Sequence, residues 1–307
     1  MRRDVTLLMG GWSPEREVSL SSGRECAKAL RDRGYRVRAV DVDGDLRDLL
    51  RVLEPRPDVI FNALHGVGGE DGTIQGVLDM LGIPYTHSGL LASALAMHKP
   101  SAKTLFAAAG LPVVDGLVAR PAALLDADLL PTPFVIKPVN QGSTVGVRIV
   151  RVGDNSWREE VKNWRFGDEI LLERYIPGRE LTAAVLGDRA LGVCEIIPRS
   201  SSFYDYTAKY SPGGSEHLTP APLPSKHYEY ALEVALAAHQ TLGCRGVSRT
   251  DFRYDDTGSA EARLYLLEIN TQPGMTPTSL VPDIARHAGI SFDELVAWLV
   301  ENAACGT

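Results

Sequence analysis

The stretch Arg249-Thr250-Asp251 and the later Leu266-Leu267-Glu268-Ile269-Asn270 carry the residue types best suited to holding a charged ligand. Both read as β-strands. Gly246-Val247 leads into the first, the second is mostly apolar from Leu264, and Asp255-Asp256-Thr257-Gly258-Ser259 between them is turn chemistry, which predicts a hairpin. Side chains alternate faces along a strand, so Arg249 and Asp251 share one face, and Glu268 and Asn270 share one face of the partner. If those faces coincide, two carboxylates, an amide oxygen and a guanidinium converge on one spot. Such an all-oxygen ligand set suits a hard cation such as Mg²⁺, held together with nucleotide phosphates. An exposed ion-pair ladder is the alternative for an isolated hairpin; the apolar flanks and the uncharged Asn270 favour the metal–phosphate site.

Other segments could complete it. Val135-Ile136-Lys137-Pro138 ends a strand on a lysine, and the small-residue run from Asn140 to Gly146 could turn backbone N–H groups onto phosphate. It is not a Walker loop, since no G-x-x-x-x-G-K-[ST] occurs; an ordinary hairpin is the alternative, and Lys137 favours nucleotide. His65-Gly66-Val67-Gly68-Gly69-Glu70-Asp71-Gly72 follows a strand and precedes a helix, where an anion could bind. Asp71 stands where the dinucleotide fingerprint needs its last glycine, so a dinucleotide cofactor is disfavoured. His65 is either a substrate-positioning residue or a structural histidine bracing the glycine turn. Glu15, in the first turn of a helix, either answers the helix dipole or anchors an ammonium group at the carboxyl edge of a parallel sheet. Three tyrosines, a phenylalanine and a lysine between Phe203 and Tyr210 suit a lid that docks over a site and excludes water.

These residues need a scaffold, and the chain supplies its signals. An apolar strand at 5–9 runs into Gly10-Gly11, Ser13-Pro14 reads as an N-cap with proline at the first helical position, and Gly34 ends that helix. Strands at 35–40 and 58–64 around a helical 45–53 predict an open parallel sheet over the first ninety residues. A helix at 73–81 ending at Gly82, a short strand at 83–85, and alanine-rich segments at 91–97 and 102–109 follow. The proline-containing stretch 111–133 reads as a domain boundary. Strands are expected at 134–139, 147–150, 169–175, 180–186 and 190–197, an irregular lid at 198–222, a helix at 224–242, and closing helices from Ser279 and Ser291.

With 307 residues and 44% hydrophobic content, the chain can build two domains or three small ones. A net charge of −7 with no sustained basic run argues against nucleic acid or an anionic membrane as partner. The four cysteines form no C-x-x-C pair and read as thiols of a reducing compartment. The apolar run before Gly10 is too short for a signal peptide or span, so the expected location is cytoplasmic.

In their order and number these segments resemble the D-alanine–D-alanine ligase family of the ATP-grasp fold. The matching pieces run from Gly10-Gly11 and Glu15-Arg16-Glu17-Val18-Ser19 through Leu64-His65-Gly66, Glu70-Asp71-Gly72-Thr73, Lys137-Pro138, Gly142-Ser143 and Tyr204-Asp205-Tyr206. They continue with Ala208-Lys209-Tyr210, Arg249, Asp251, Glu268, Asn270-Thr271 and Pro273-Gly274-Met275-Thr276. The resemblance implies an α/β (α+β) chain: a substrate-side parallel domain at 1–95, a central ATP-grasp subdomain at 96–180, and a carboxyl-terminal subdomain at 181–307 bearing metal site and lid. It implies metal ligands at Asp251, Glu268 and Asn270, and ATP contacts at Lys99, Lys137, Glu173, Tyr175, Ile176, Glu180 and Lys209. Glu15 would hold the first amino acid's ammonium, with His65 on the same substrate side. Arg249 and the Gly274 backbone would face the oxyanion, and Ser279 and Leu280 would receive the second carboxylate. Glu15, Ser143 and Tyr210 match a hydrogen-bonded trio. One departure is His98 before Lys99, where the family usually shows aspartate. The implied activity is ATP-dependent joining of two D-alanines through an acyl phosphate for peptidoglycan. Two Mg²⁺ are expected, with Mn²⁺ a possible substitute, in a cytoplasmic homodimer. D-lactate or D-serine as acceptor, another carboxylate–amine ligase, and an idle ATP-binding module are the rivals.

Overall fold

A computed structural model describes residues 3–199, 213–258, 261–276 and 279–306. The apolar run near the amino terminus becomes β1 (Asp4–Gly10), flanked by β2 (Arg36–Val42) and β3 (Val59–Asn62) in a parallel sheet of order β2-β1-β3. Helices α1 (Arg16–Asp32) and α2 (Leu46–Val52) make the crossovers that parallel pairing requires. On α1, Gly23 permits the closest approach to the sheet, since a Cβ there would lie 2.6 Å from Met9 Cβ.

Helix α1 starts later than its Ser-Pro signal suggests. Glu15 holds the N-cap position, and Ser13 is committed elsewhere: its Oγ donates to the His65 carbonyl (2.6 Å) and accepts from the Glu15 N–H (3.2 Å). A hydroxyl satisfied by a residue 52 positions away ties two loops together at the carboxyl edge of the sheet instead of opening a helix.

Helix α3 (Thr73–Leu81) stops at Gly82, as its left-handed C-cap requires. The strand expected at 83–85 reduces to single bridges from Tyr85 to Ile60 and Ala304. Pro84 has no N–H with which to extend a ladder. Helices α4 (Leu90–Met97) and α5 (Lys99–Ala108) meet at His98.

The stretch 111–133 is more than a linker. It contributes β4 (Gly116–Ala119) and α6 (Pro121–Asp126), elements too short to leave a periodic signal. β4 edges an antiparallel sheet of order β4-β7-β5-β6, with β5 (Phe134–Pro138), β6 (Arg148–Val150) and β7 (Ile170–Arg174). The unanticipated α7 (Trp157–Lys162) covers this sheet through Trp157 and Val161.

The third sheet, order β10-β9-β8-β11-β12, is antiparallel throughout: β8 (Arg179–Leu186), β9 (Arg189–Pro198), β10 (Ser215–Leu218), β11 (Val247–Asp255) and β12 (Arg263–Asn270). β10 corrects the expectation of an irregular 198–222, because its four residues gain regular pairing only from β9. The rest of the proposed lid, 200–212, lies outside the described residues. One face of this sheet packs on α5 and α8 (Ser225–Thr241) around Phe106, Val185 and Phe252. The other packs on α9 (Leu280–His287) and α10 (Phe292–Glu301). That second core is continuous with Leu7 and Phe61 of the parallel sheet and Leu30 of α1, so the amino-terminal sheet shares its interior with the carboxyl-terminal helices. All four cysteines are free thiols, and among the described residues no helix is long and apolar enough to cross a membrane.

Candidate active site

The β11–β12 register places Arg249 opposite Asn270 and Asp251 opposite Glu268, so the two polar faces coincide as alternation predicts. A bulge follows Asp251. Arg249 forks onto Asp251, its Nε donating to Oδ1 (2.9 Å) and Nη2 to Oδ2 (2.7 Å), while Thr182 of β8 donates to Oδ1 (2.6 Å). Glu268 lies 3.5 Å from the Lys99 ammonium, and Asn270 Oδ1 accepts from the Gln272 N–H (2.7 Å). Among the described residues no three His, Cys, Asp or Glu gather as a metal cage. The donor set is two carboxylates and an amide, each carboxylate already balanced by a cation. That chemistry fits a hard cation whose remaining ligands are phosphate oxygens and water, not an all-protein site.

Between the two antiparallel sheets lies a cleft lined by both charged and apolar side chains. Lys99, Lys137, Glu173, Tyr175, Ile176, Glu180, Asp251 and Glu268 all line it. Glu173 is 2% exposed and its carboxylate is shared by two ammonium groups: Lys137 at 2.5 Å and Lys103, which is also in hydrogen-bond contact. Burial alone would push Glu173 up, yet Lys137 and Lys103 outweigh it and hold it below the ordinary carboxylate range. Burial likewise pulls both lysines down. Lys137 nevertheless stays above its ordinary value, because Glu173, Glu268 and Glu180 all act on it, whereas Lys103 falls below. Lys137 is thus a buried group kept firmly cationic.

Two residues that shape the cleft escaped the sequence reading: Arg253, which lines it, and Lys103, which reaches it only through Glu173. Lys103 sits one helical turn beyond Lys99 on α5, the spacing that puts two side chains on one face. Arg253 continues the Arg249–Asp251 alternation on β11, donating to the Ile176 carbonyl (3.1 Å) and the Gly178 carbonyl (2.6 Å), with Glu180 at 3.6 Å. It fixes the connection between β7 and β8 that carries Tyr175 and Ile176.

A second cavity opens beside the first and is lined by Glu15, His65, Glu70, Ser143, Arg249, Asn270 and Gly274. Ser143 donates a short hydrogen bond to Glu15 across 128 residues, in a loop where Ser143 and Thr144 both take left-handed backbone angles (φ 52° and 62°). Gly66 admits the Glu15 carboxylate: at φ 73° a Cβ would lie 2.8 Å from Ser13 Oγ and 2.9 Å from Glu15 Oε2. His65 is buried, Nδ1 lying 3.1 Å from Glu70 Oε1 and Nε2 3.4 Å from Ser22 Oγ, while Glu70 Oε1 also accepts the Gly66 N–H. Burial lowers the imidazole's basicity, but Glu70 and then Glu15 outweigh it, so its pKa lies above the ordinary value. His65 therefore braces the glycine turn and faces the cavity at once.

Lys99, Gln141 and Glu268 line both cavities. Lys99 Nζ reaches the Gln141 carbonyl at 2.6 Å, which sets it at the junction. His98 caps α5 by accepting from the Ser101 N–H (3.3 Å), with Ser101 Oγ at 2.7 Å. An imidazole nitrogen does here what an aspartate would do, so the departure leaves Lys99 in place. Ser279 and Leu280 line neither cavity: Ser279 N-caps α9 and accepts the Thr276 N–H (3.0 Å), and the Leu280 side chain belongs to the core. Ser279 still approaches the site, since a Cβ on Gly274 would lie 3.2 Å from its Oγ. Lys209 and Tyr210 fall outside the described residues.

Family models described as the D-ala D-ala ligase C-terminus and N-terminus match residues 105–301 and 48–88. The chain is 56% identical over 305 residues to the D-alanine–D-alanine ligase of Parvibaculum lavamentivorans, covering 99% of this chain and 98% of the relative. It is 58% identical over 308 residues to that of Paramagnetospirillum magneticum, covering 99% and 100%. Among solved structures it resembles the Bacillus anthracis D-alanine–D-alanine ligase complexed with ATP, with TM-score 0.82 and 31% identity over 98% of this chain and 97% of that one.

Proposed function

The chain belongs to the D-alanine–D-alanine ligase family, and from that premise we propose how its residues divide the work. It is an ATP-dependent ligase of the ATP-grasp fold that joins two D-alanines. The observation that carries the division of labour is the shared wall: Lys99, Gln141 and Glu268 stand where the two cavities meet. A triphosphate in the larger cleft brings its terminal phosphoryl group to that wall, and an amino acid in the smaller cavity brings its carboxylate to the other side.

Held there, the first D-alanine's carboxylate attacks the γ-phosphorus to give an acyl phosphate and ADP. The second D-alanine's amine then attacks the acyl carbon, and phosphate leaves. Glu15, fixed by Ser143, is the anchor for the first ammonium. Lys99 and Lys137 neutralise triphosphate charge, Lys137 being held cationic by its carboxylate neighbours. Arg249 and the Gly274 N–H face the oxyanion of the tetrahedral intermediate. Tyr175 and Ile176 offer backbone to the adenine, and Glu180 lies on the same side. Ser279 and Leu280 receive the second carboxylate through backbone at the start of α9.

Asp251, Glu268 and Asn270 would hold Mg²⁺, or Mn²⁺ in its place. Two ions, when bound, spread the charge of the transferring phosphoryl group. We assign residues 1–95 to the amino-acid side, 96–180 to one jaw of the nucleotide cleft and 181–307 to the other, in a cytoplasmic homodimer that supplies peptidoglycan precursors. Incubation of the protein with ATP, Mg²⁺ and D-alanine should release one phosphate per dipeptide. D-lactate or D-serine added as competing acceptor tests the acceptor side. Phosphate release that does not depend on D-alanine would overturn the assignment.

A further inference from the structure

We propose that Gln272 is a positioning residue for the ligation, forming with Asn62 a buried amide clamp that holds the two walls of the amino-acid cavity at a fixed separation. The two residues lie 210 positions apart and are almost completely buried. Asn62, at the end of β3, uses both hydrogens of its amide: one to Gln272 Oε1 (2.8 Å), the other to the Gly69 carbonyl (3.0 Å). Its Oδ1 accepts the Leu64 N–H at 3.2 Å. Gln272 Nε2 donates in turn to the Leu64 carbonyl, and the Gln272 backbone N–H holds Asn270 Oδ1 at 2.7 Å. A single residue thus grips the strand end that leads into His65 and, through its own backbone, sets the amide of Asn270.

The two gripped segments both line one cavity. His65 and Glu70 come from the glycine turn, Asn270, Thr271 and Gly274 from the turn after β12. A neutral amide pair suits this work: it is directional on both sides and adds no charge beside Glu15, Glu70 and Arg249. Because both side chains are buried, removing one amide leaves the other's polar groups unsatisfied, and the turns must shift to find others. A second, weaker tie runs parallel, the Met275 N–H donating to Ser22 Oγ (3.3 Å), which also lies 3.4 Å from His65 Nε2. Neither Asn62 nor Gln272 lines the nucleotide cleft. The clamp should therefore govern D-alanine binding and its alignment, and leave the affinity for metal-free ADP alone.

The kinetic part of this proposal rests on the ligase assignment; the structural part does not, and the test separates them. Gln272→Leu removes both side-chain hydrogen bonds and should raise the D-alanine KM by at least about tenfold, while the ADP Kd by calorimetry without Mg²⁺ stays within about twofold. Hydrogen exchange followed by mass spectrometry should show faster exchange in residues 62–70 and 270–275 together. Should Gln272→Leu fail to fold, Gln272→Glu keeps the acceptor for Asn62 but sets an oxygen against the Leu64 carbonyl, and the same readouts apply. Exchanging the pair, Asn62→Gln with Gln272→Asn, keeps the summed side-chain length. The double variant should recover KM and exchange protection that each single variant loses. A lowered Tm with unchanged KM and unchanged exchange in the partner segment would reduce Gln272 to a packing residue and overturn the proposal, as would a double variant no better than its singles. Absence of D-alanine-dependent turnover in the parent protein would instead defeat the ligase assignment, and exchange would still report on the clamp.

Discussion

Replacing Glu173 by glutamine keeps the shape of its side chain and removes its charge, which isolates the electrostatic role of the most buried acid in the nucleotide cleft. In the parent, one carboxylate serves two ammonium groups, and all three side chains are nearly inaccessible to solvent. The amide leaves Lys103 and Lys137 as like charges with no counterion between them. Removing one partner of a buried ion pair costs about 3–5 kcal/mol. At roughly 2.1 cal/mol/K per residue, a chain of this length loses about 5–8 °C in Tm if it unfolds as one unit. The pH dependence fixes the cause. Glu173 has a lowered folded pKa, so its stabilisation is fully present above the ordinary 4.5 and is lost as pH falls through the lower folded value. The difference between parent and Glu173→Gln should therefore be constant near neutrality and shrink below pH 4.5. Lys103→Met alone should cost much less, because Lys103 is already disfavoured by burial and its loss leaves Glu173 paired with Lys137. Adding Lys103→Met to Glu173→Gln should return a large part of the lost stability. Calorimetric scans of the three variants from acid to neutral pH make the measurement. A Glu173→Gln protein within about 1 °C of the parent at neutral pH would refute the reasoning, since it would mean water or a chloride screens the lysines at no cost.

Three further outcomes can be checked alongside. Glu268→Ala should lower turnover by at least about a hundredfold with little change in Tm, because its side chain is partly exposed; Asp251→Ala should lose both, as it also strips Arg249 and Thr182 of their shared partner. Steady-state phosphate release and thermal scans distinguish the pair, and normal turnover by Glu268→Ala at saturating Mg²⁺ would end the metal assignment. His98→Asp should leave stability nearly unchanged, whereas His98→Ala should cost about 1 kcal/mol by urea titration, because the cap to the Ser101 N–H is kept in one and lost in the other. His65 has a raised pKa, so its stabilising contact with Glu70 is complete below 6.5 and declines as pH rises through the folded value. Denaturation near about pH 6 and about pH 8 should expose that slope, and Glu70→Gln should flatten it.

Much of this protein is written locally. Alternation along two strands put Arg249, Asp251, Glu268 and Asn270 on common faces, and the hairpin turn brought those faces together. Gly34 and Gly82 ended helices by supplying left-handed backbone, and Ser291 with Glu294 formed a capping box at α10. Each of these is decided within a few residues by dihedral preference and hydrogen-bond supply, so a sequence displays it. Lys137 stood out as a lysine ending a strand before a small-residue loop, and the resemblance to a family then extended the reading to Lys99 and Glu180; all three line the cleft.

Other features depend on partners far along the chain. Ser13 carries a helix-cap signal yet spends its hydroxyl on His65, and β10 has order because β9 lies beside it. The resemblance implies Glu173 as an ATP contact, and only the fold shows that two lysines on separate elements also hold its carboxylate. Arg253, one charge on a strand with no local mark, finds its carbonyl partners only through the fold. The Asn62–Gln272 pair has no local signature at all, since an amide near a strand end is ordinary at either position. What decides such pairs is which elements the topology brings within 3 Å, and whether water is excluded once they meet. That is a property of the closed cores, and no window of neighbouring residues contains it.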